Sequence, residues 1–494
     1  MPADALDNSD LILAAEDFDS AEFEKYHRFA KSDERIISKL VAHGPVLLRG
    51  GRGSGKSALM LEAERRLSRD PNFQALGIYI SLRHLELIRS SGKDYEVFLC
   101  RLLLNRVQEK IGRPLDVSPE PTVTDVQRVL SSLSSELSKR IVLLFDDAAH
   151  IGREASLAEF FDVFRTISSS TVSCKAAIYP GVTKFGNRFD IFNDATVLDL
   201  ARSDELQGHA EFFAGIMSIR YGNELPDDAF RGSLSRQDVA GFAGMAVLGN
   251  MRSFIFACNE LAKISQEKKP IGLPELNQAM LNLATNYYWP LLEEVEPKLG
   301  RYAPMVSVAR EAAEILFESG GKVGNRSSLV LREVSERIAK PLEILEYAGF
   351  ISKRDVSRAM KSGGRGARYA LNLCNLLEKT PTARLIAELY KKWTQEITDP
   401  LEFHRGSKLQ LVQLPTEEGP EQLGVFSLPI EKLAKSQAYP YGLTDSKIEI
   451  LRAAKITTVG ELASASDAQL DALYMVGSAA VRRFRNVVGQ AVWM

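Results

Sequence analysis

The residues that most directly predict chemistry lie in the stretch GGRGSGKS, at positions 50–57. The stretch fits the pattern G-x-x-x-x-G-K-[ST], follows a short apolar run and precedes a helical pattern. Glycines allow the backbone N–H groups to turn inward toward phosphate oxygens, and the following helix adds the positive end of its dipole. The pattern therefore predicts a nucleotide-phosphate site made by the whole loop: Gly50, Gly51, Arg52, Gly53, Ser54, Gly55, Lys56 and Ser57.

A nucleotide site of this kind also needs carboxylates for a metal ion and a water molecule, and the run IVLLFDD supplies two. In the predicted site Lys56 reaches the β- and γ-phosphates, while the Ser57 hydroxyl and Asp146 bind Mg²⁺. Asp147 then lies where it can polarise the attacking water. Because aspartate is shorter than the glutamate common at this place, we expect slow hydrolysis. These residues predict ATP and Mg²⁺ as cofactors.

Two arginines are candidates to stabilise charge on the γ-phosphate. Arg252 opens a helical pattern in GNMRSF, and Arg188 follows a strand-like run in KFGNRFD. Either arginine also fits an ordinary solvated or salt-bridged role. Thr183 is a further candidate to contact the γ-phosphate or its water. His150 has no partner at metal-ligand spacing, and we interpret it as structural.

The composition is that of an ordinary globular protein, with 494 residues, of which 45% are hydrophobic and 26% charged. A net charge of −2 excludes a uniformly basic nucleic-acid binder. The four cysteines are widely spaced, which favours free thiols in a reducing compartment. The acidic first residues do not fit a signal peptide, and no apolar run reaches membrane-spanning length. We therefore expect a cytoplasmic protein with no membrane partner.

Short apolar runs alternate with helical patterns in the first part of the chain, which predicts a parallel sheet covered by helices. The runs lie at 45–50, 76–81, 140–147, 174–180 and 195–200. Further along, helices and two strand-like runs around a Gly-rich loop suggest a winged helix-turn-helix. The predicted division is an acidic arm at 1–36, an α/β core at 37–200, a helical lid and linker at 201–300, a winged helix at 301–378, a connector at 379–430 and a compact helical module at 431–494.

The predicted hairpin of the winged helix carries local positive charge. Between positions 353 and 368 there are six basic residues and one acidic residue. Phosphate contacts need such charge, and the glycines of the loop allow close approach to a nucleic-acid backbone. A solvated charged hairpin is the alternative. The candidate DNA contacts are Arg358, Lys361, Arg365 and Arg368.

Taken together, these motifs resemble the AAA+ ATPases of the origin-recognition and initiator group, and the related STAND signalling ATPases. The resemblance covers roughly residues 37–375 and implies Lys56, Ser57, Asp146 and Asp147 at the nucleotide. It also implies Arg252 as the sensor-2 arginine and Arg188 as a finger reaching a neighbouring subunit. Two features depart from the initiator pattern: Asp147 stands in place of glutamate, and the strand KAAIYPG lacks a polar sensor-1 residue unless Thr183 serves.

The end of the chain resembles the C-terminal domain of the RNA polymerase α subunit, a helix-hairpin-helix fold. The matching stretches are LRAAKITTVGEL and QLDALYMVGSAAVRRF. A hairpin of this type usually reads G-[IV]-G, and here Met475 replaces the first glycine while Gly477 remains. Gly477, Arg482 and Arg483 are candidate DNA contacts, and protein binding is the alternative. We expect this module to fold independently.

The predicted fold class is α/β, with a P-loop AAA+ core, a helical lid, a winged helix-turn-helix and a helix-hairpin-helix module. The predicted function is an ATP-dependent, DNA-associated ATPase that assembles on duplex DNA as an ATP-dependent homo-oligomer. The alternative is a nucleotide-gated switch that binds a partner protein, through the C-terminal module, with little ATP turnover.

Overall fold

The computed structural model describes most of the chain in segments. They are residues 15–69, 74–84, 86–87, 90–149, 154–182, 185–186, 188–231, 234–267, 269–396, 398–415, 423–436, 439 and 442–493. Two of the sequence candidates, Thr183 and His150, lie outside the described residues.

A five-stranded parallel sheet forms the first part of the molecule. Its strands are β1 (Val46–Arg49), β2 (Ala75–Ser81), β3 (Arg140–Ala149), β4 (Val172–Ile178) and β5 (Thr196–Asp199), in the order β2-β3-β4-β1-β5. All five correspond to predicted apolar runs, so the predicted α/β core is confirmed. Because the strands are parallel, the ends of β1, β3 and β4 meet at one edge of the sheet.

Helices cover both faces of this sheet. They are α1 (Ser20–Tyr26), α2 (Lys31–Val41), α3 (Lys56–Arg69), α4 (Gly92–Ile111), α5 (Val123–Leu137) and α6 (Glu154–Ile167). Side chains of a strand alternate between faces. In β3, Leu143 and Phe145 join the core under α4, α5 and α6, whereas Val142 and Leu144 join the core under α2 and α3. This alternation explains why β3 reads as a continuous apolar run.

A helical unit follows the sheet. It contains α7 (His209–Tyr221), α8 (Arg236–Ala246), α9 (Met251–Gln266), α10 (Leu273–Leu283) and α11 (Trp289–Val295), with a π-helical turn at Ala284–Tyr288. Asn250 caps α9, since its side chain accepts a 3.1 Å hydrogen bond from the Ser253 backbone N–H. The cap fixes where α9 begins and therefore where Arg252 lies.

The next part of the chain, which we call the 305–378 unit, has the element order helix, strand, two helices, hairpin and helix. The elements are α12 (Met305–Val323), β6 (Ser327–Leu331), α13 (Arg332–Arg337), α14 (Ala339–Ala348), β7 (Ile351–Ala359), β8 (Arg365–Leu371) and α15 (Leu373–Glu378). The following segment adds the predicted helix, α16 (Ala387–Gln395), and a strand, β9 (Leu401–Phe403), that the sequence analysis treated as irregular. β9 pairs with β6, giving a sheet of order β7-β8-β6-β9.

Residues 423–493 form the C-terminal unit. Its helices are α17 (Asp445–Ala453), α18 (Val459–Ser464), α19 (Asp467–Asp471) and α20 (Ser478–Trp493). Leu451, Leu462, Phe484 and Val488 are fully buried in a core of its own. Among the described helices of the whole chain, none has the length and apolar character required to cross a membrane.

Candidate nucleotide-binding site

The glycine-rich loop connects β1 to α3 at the sheet edge. Gly53 and Gly55 have φ angles of +74° and +94°, in the left-handed region that side chains rarely adopt. A Cβ atom on Gly53 would lie 2.6 Å from the Cβ of Arg252. The loop therefore needs glycine at Gly53 both for its backbone turn and for the close approach of α9.

Lys56 is buried at the first position of α3. Its Nζ donates to the carbonyl oxygens of Gly50 and Gly51, at 2.8 and 3.1 Å. The same atom lies 3.7 Å from the centre of the Tyr179 ring, a cation–π geometry. Burial lowers the pKa of Lys56 to about 8, against the opposing effect of the two aspartates. An anion bound beside Lys56 would restore its charge.

Asp146 is fully buried at the end of β3. Its carboxylate accepts hydrogen bonds from the Tyr79 hydroxyl at 2.7 Å and from the Asp147 backbone N–H at 3.0 Å. Its side chain also hydrogen-bonds Ser57. Burial raises the pKa of Asp146 to about 6, and the charge of Asp147 adds to the rise. The structure thus brings together the two residues that the sequence predicts as metal ligands.

Asp147 follows with a φ of +53°, an uncommon conformation for a residue with a side chain. Its Oδ1 accepts a 2.9 Å hydrogen bond from Tyr179, and its Oδ2 accepts a 2.5 Å bond from Arg83. Burial opposes ionisation of this carboxyl, but Arg83 and Lys56 outweigh burial and hold its pKa below the ordinary value. Both carboxylate oxygens are therefore engaged by protein donors.

A third carboxylate approaches the same place from the N-terminal arm. The carboxylate oxygens of Glu16, Asp146 and Asp147 lie within 4.8 Å of one another. Glu16 also lies 3.4 Å from Arg83 and accepts a 3.3 Å hydrogen bond from Tyr79. Ser57 and the carboxylates offer the hard oxygen ligands that Mg²⁺ prefers, so the donor set fits this ion.

One cavity of about 100 Å³, which we call the nucleotide cavity, is lined by loop residues 52–57 and by Glu16, Arg83, Asp147 and Tyr179. Asp146 is hydrogen-bonded to Asp147 but is not itself a lining residue. Residues 26–29 form another part of its wall. Of the described lining residues, seven are arginine or lysine and two are acidic. The basic ones are Arg28, Arg52, Lys56, Arg83, Arg202, Arg220 and Arg252. Arg52, Lys56 and Arg202 are buried, and this local excess of positive charge is suited to a polyphosphate.

Arg252 reaches the cavity from the start of α9, as predicted. Its backbone N–H donates to the Gly53 carbonyl at 3.1 Å, and the Asn250 side chain donates to the Arg52 carbonyl at 2.5 Å. The helical unit therefore closes directly on the glycine-rich loop. Arg188 is exposed and is not among the residues that line the cavity. Its role toward a neighbouring subunit stays a prediction.

The 305–378 unit also contacts the loop, through the end of α14. The Tyr347 carbonyl accepts a 3.1 Å hydrogen bond from the Arg52 backbone N–H. The Tyr347 ring packs edge-on against Tyr179 with 5.2 Å between ring centres, and Lys340 donates to the Gly181 carbonyl at 2.9 Å. The helix that precedes the hairpin is thus packed against the nucleotide cavity.

The chain is similar to several solved structures over most of its length. The Walker-type ATPase paby2304 of Pyrococcus abyssi matches at 15% identity, over 71% of this chain and 94% of that one, with a TM-score of 0.41. CDC6P of Pyrobaculum aerophilum matches at 12% identity, over 76% and 99%, with a TM-score of 0.35. The Aeropyrum pernix ORC2 protein matches at 10%, over 76% and 98%, with a TM-score of 0.34.

No protein-family model matches this chain, and no curated protein matches it.

The predicted DNA contacts of the hairpin have two kinds of surroundings. Arg358, Lys361 and Arg365 are exposed near its tip, where Gly363 and Gly364 make the turn with φ of +94° and +82°. Arg368 is different, because its guanidinium pairs with Asp355 at 2.6 Å and Glu205 at 2.7 Å and only 13% of its side chain is exposed. Arg368 is therefore less accessible to a nucleic acid than the residues at the tip, and its DNA contact stays a prediction. Its partner Glu205 lies far away in sequence, outside the hairpin.

The hairpin of the C-terminal unit exposes apolar side chains. Met475 has a φ of +57°, the conformation for which the G-[IV]-G pattern uses glycine, and Tyr474 and Met475 are 83% and 73% exposed. Gly477 and Arg482 are exposed beside them, whereas Arg483 is half-buried and donates to the Gly442 carbonyl at 3.3 Å. Gly477 and Arg482 therefore remain accessible candidates for a phosphate contact.

Several residues of the site were not found from the sequence. Arg83 follows β2 and Tyr179 follows β4, and both act on Asp147. Tyr179 lies at the end of the strand KAAIYPG, and its hydroxyl donates to Asp147. Arg202, just after β5, is buried, donates to the Ser54 carbonyl and pairs with Asp33 at 3.2 Å. Position at the end of a parallel strand is the signal that all three share.

Proposed function

We propose that this chain is a P-loop AAA+ ATPase that binds Mg²⁺·ATP and hydrolyses it slowly. The proposal rests on one observation: groups from different parts of the chain meet at one basic cavity. They are the glycine-rich loop, Asp147 with its neighbour Asp146 from β3, and Arg252 from the helical unit. These groups come from three separate parts of the chain, which a chance glycine-rich turn would not bring together.

Each residue has a specific task in this proposal. The loop N–H groups and Lys56 bind the β- and γ-phosphates, and Arg252 stabilises negative charge that develops on the γ-phosphate. Ser57 and Asp146 hold Mg²⁺, which supplies charge neutralisation when it is bound. Asp147 orients the attacking water and accepts its proton.

Slow turnover follows from the surroundings of Asp147. Arg83 and Tyr179 each donate to one carboxylate oxygen of Asp147, and the lowered pKa makes Asp147 a weaker base toward water. We therefore expect hydrolysis to become faster when Arg83 moves away from Asp147. The helical unit and Tyr347 both pack on the glycine-rich loop. This packing supports a closed state of the site, which nucleotide binding has to open.

The test is the rate of phosphate release by purified protein, with and without duplex DNA, together with ATP affinity. We expect ATP to bind, turnover to be slow, and Arg83→Gln to raise the basal rate. A protein that does not bind ATP contradicts the proposal. A fast basal rate that Arg83→Gln does not change contradicts the role of Arg83.

DNA association is a second candidate function, and the hairpin tip favours it. We propose that the 305–378 unit is a winged helix whose exposed residues Arg358, Lys361 and Arg365 contact DNA phosphates. The α14 helix does not take part in this arrangement, because it packs on the glycine-rich loop. The measurement is duplex binding as a function of salt, with and without ATP.

We further propose that ATP drives assembly of several copies, with Arg188 acting on the nucleotide of a neighbouring copy. Its exposure supports this role. Mass measurement with ATP, with and without duplex DNA, tests the assembly.

The C-terminal unit is proposed as a helix-hairpin-helix module that adds DNA or protein affinity. Loss of DNA binding in Gly477→Glu would assign it to DNA, and loss of a co-purifying protein would assign it to a partner protein.

A further inference from the structure

The side chain of Arg52 is not explained by the pattern of the glycine-rich loop, which leaves this position open. Arg52 is only 5% exposed and lines the nucleotide cavity. Within the described part of the chain, its Nε and Nη1 atoms are buried without a hydrogen-bond partner. Buried guanidinium nitrogens are normally paired, because leaving them unpaired costs the desolvation of a charged group. Arg52 is therefore placed to bind a ligand.

A second arginine, Arg252, lies near Arg52 and adds to the evidence for an anion-binding site. Arg252 follows Asn250, whose side chain binds the Arg52 carbonyl, and both arginine side chains line the cavity. Burial, together with the charge of Arg52, lowers the pKa of Arg252. Two like charges in one buried cavity repel each other, and an anion between them would remove the repulsion. A phosphate group has the charge and the acceptor oxygens to do so.

In the absence of a ligand, the positive charge of Arg52 is opposed by the negative charge of Glu294, at the end of α11. Glu294 bonds Lys298 at 2.7 Å, and Lys298 is fully buried. Burial disfavours the charge of Arg52, but Glu294 and the surrounding tyrosines together outweigh burial and raise its pKa. The carboxylate oxygen Oε2 of Glu294 has no hydrogen-bond partner among the described residues. Arg52 therefore has an electrostatic partner but not a saturated ion pair.

Glu294 also connects this cluster to the C-terminal unit. The Tyr439 side chain hydrogen-bonds Glu294, and its ring centre lies 5.7 Å from the Lys298 ammonium. Tyr439 is 4% exposed and belongs to the core of the C-terminal unit. Glu294, Lys298 and Tyr439 thus form one small buried cluster that includes a residue of the C-terminal unit, and the charge of Arg52 interacts with this cluster electrostatically.

We propose that Arg52 binds the terminal phosphate of ATP and thereby transmits nucleotide occupancy to the C-terminal unit through Glu294 and Tyr439. Lys56 and Arg252 flank the place of that phosphate, and Arg52 lies beside Arg252. When Arg52 turns to the phosphate, Glu294 loses part of its opposing charge, and the contact with Tyr439 weakens. The proposal rests on the ATP site proposed above, and it adds that Arg52 distinguishes ATP from ADP.

The first experiment compares the affinities for Mg²⁺·ATP and Mg²⁺·ADP in wild type and in Arg52→Gln. We expect ATP binding to weaken about tenfold or more through loss of a charge-assisted contact, and ADP binding to weaken less than about threefold. The matched control is Arg49→Gln, three positions upstream, whose side chain pairs with Asp199 outside the cavity. An equal loss for both nucleotides, or no loss, overturns the proposal.

The second experiment removes the opposing charge. The double variant Glu294→Gln with Lys298→Met removes both members of the buried pair and leaves Arg52 without its opposing charge, so a thermal melting curve first checks that the variant is folded. We expect it to tighten ATP binding about threefold in an otherwise wild-type chain, and to have no effect when combined with Arg52→Gln. A change of the same size in both backgrounds contradicts the link between Arg52 and Glu294.

The third measurement is hydrogen exchange in the C-terminal unit of the full-length protein. We expect ATP, but not ADP, to speed exchange at residues 424–433 in wild type, and Arg52→Gln to abolish the difference. If wild type does not bind ATP, the proposed ATP site itself fails. If wild type binds ATP, Lys56→Ala loses it and Arg52→Gln keeps the wild-type ratio of ATP to ADP affinity, only the role of Arg52 fails.

Discussion

The nucleotide cavity and the hairpin at 351–371 are both rich in basic side chains, but their surroundings are opposite. In the cavity the basic residues outnumber the acidic ones, and Arg52 keeps two buried nitrogens without a partner. In the hairpin Arg368 pairs with Asp355 and Glu205, and Lys361 pairs with Asp399 at 2.5 Å. Arg354 of the hairpin also has two buried nitrogens without a hydrogen-bond partner, but it lies 3.7 Å from Asp204.

The difference distinguishes basic side chains that are available to bind a ligand from basic side chains that form ion pairs within the protein. A buried cation with unpartnered donors is costly, and Arg52, unlike Arg354, has no carboxylate within 4 Å among the described residues, so an anion in the cavity would complete it. An exposed ion pair contributes about 0–1 kcal/mol and can be exchanged for a phosphate. The cavity is therefore the stronger candidate for anion binding, and the hairpin tip the weaker one.

The largest effect expected from the cavity concerns Asp147. In Asp147→Asn the amide cannot accept a proton from water, so hydrolysis should fall about a hundredfold or more. ATP binding should be retained, because the phosphate contacts come from the glycine-rich loop. Phosphate release and ATP affinity measured on one preparation check both parts. Turnover equal to that of wild type would exclude Asp147 as the water-orienting group.

Removal of the loop lysine should have the next largest effect. Lys56→Ala deletes a charge-assisted phosphate contact of about 1.5–3 kcal/mol, so ATP affinity should fall about tenfold to a hundredfold. Titration with ATP checks the value, and the thermal melting curve checks that the variant is folded. Unchanged affinity in a folded variant would show that the cavity does not bind nucleotide phosphates.

The pH dependence of ATP binding should report the titration of the buried Lys56 in the nucleotide cavity. Burial lowers the pKa of Lys56 to about 8, so the cavity loses this charge as pH rises from 7 to 9. ATP binding favours the charged lysine, so affinity should fall by up to about tenfold over that range. Lys56→Arg should flatten the profile, because arginine stays charged. A profile with the same slope in Lys56→Arg would assign the titration to another group.

The smallest effect is expected at the hairpin. Arg358→Ala with Arg365→Ala should weaken duplex DNA binding irrespective of sequence. The slope of log affinity against log salt should fall by about 0.9 for each lost phosphate contact, and so by up to about 1.8. Arg368→Ala is the control, since the Arg368 side chain is mostly buried between Asp355 and Glu205, whereas Arg358 and Arg365 are exposed. If Arg368→Ala lowers the slope as much as the double variant does, the contrast between tip and base of the hairpin is wrong.

The sequence by itself determined the strand–loop–helix of the phosphate site and the two aspartates after β3. It could do so because these features are local. Glycine spacing fixes how the loop turns, and a continuous apolar run identifies a strand buried on both faces. The five predicted strands and the position of Arg252 near the start of α9 follow from the same kind of local pattern.

Only the tertiary structure decided which charges meet. Arg83 and Tyr179 reach Asp147 because the ends of parallel strands converge at one edge of the sheet. Glu205 pairs with Arg368 across 163 sequence positions. No periodicity or spacing encodes such pairs, because the partners lie on different elements whose packing is set by the burial of apolar surface over the whole molecule.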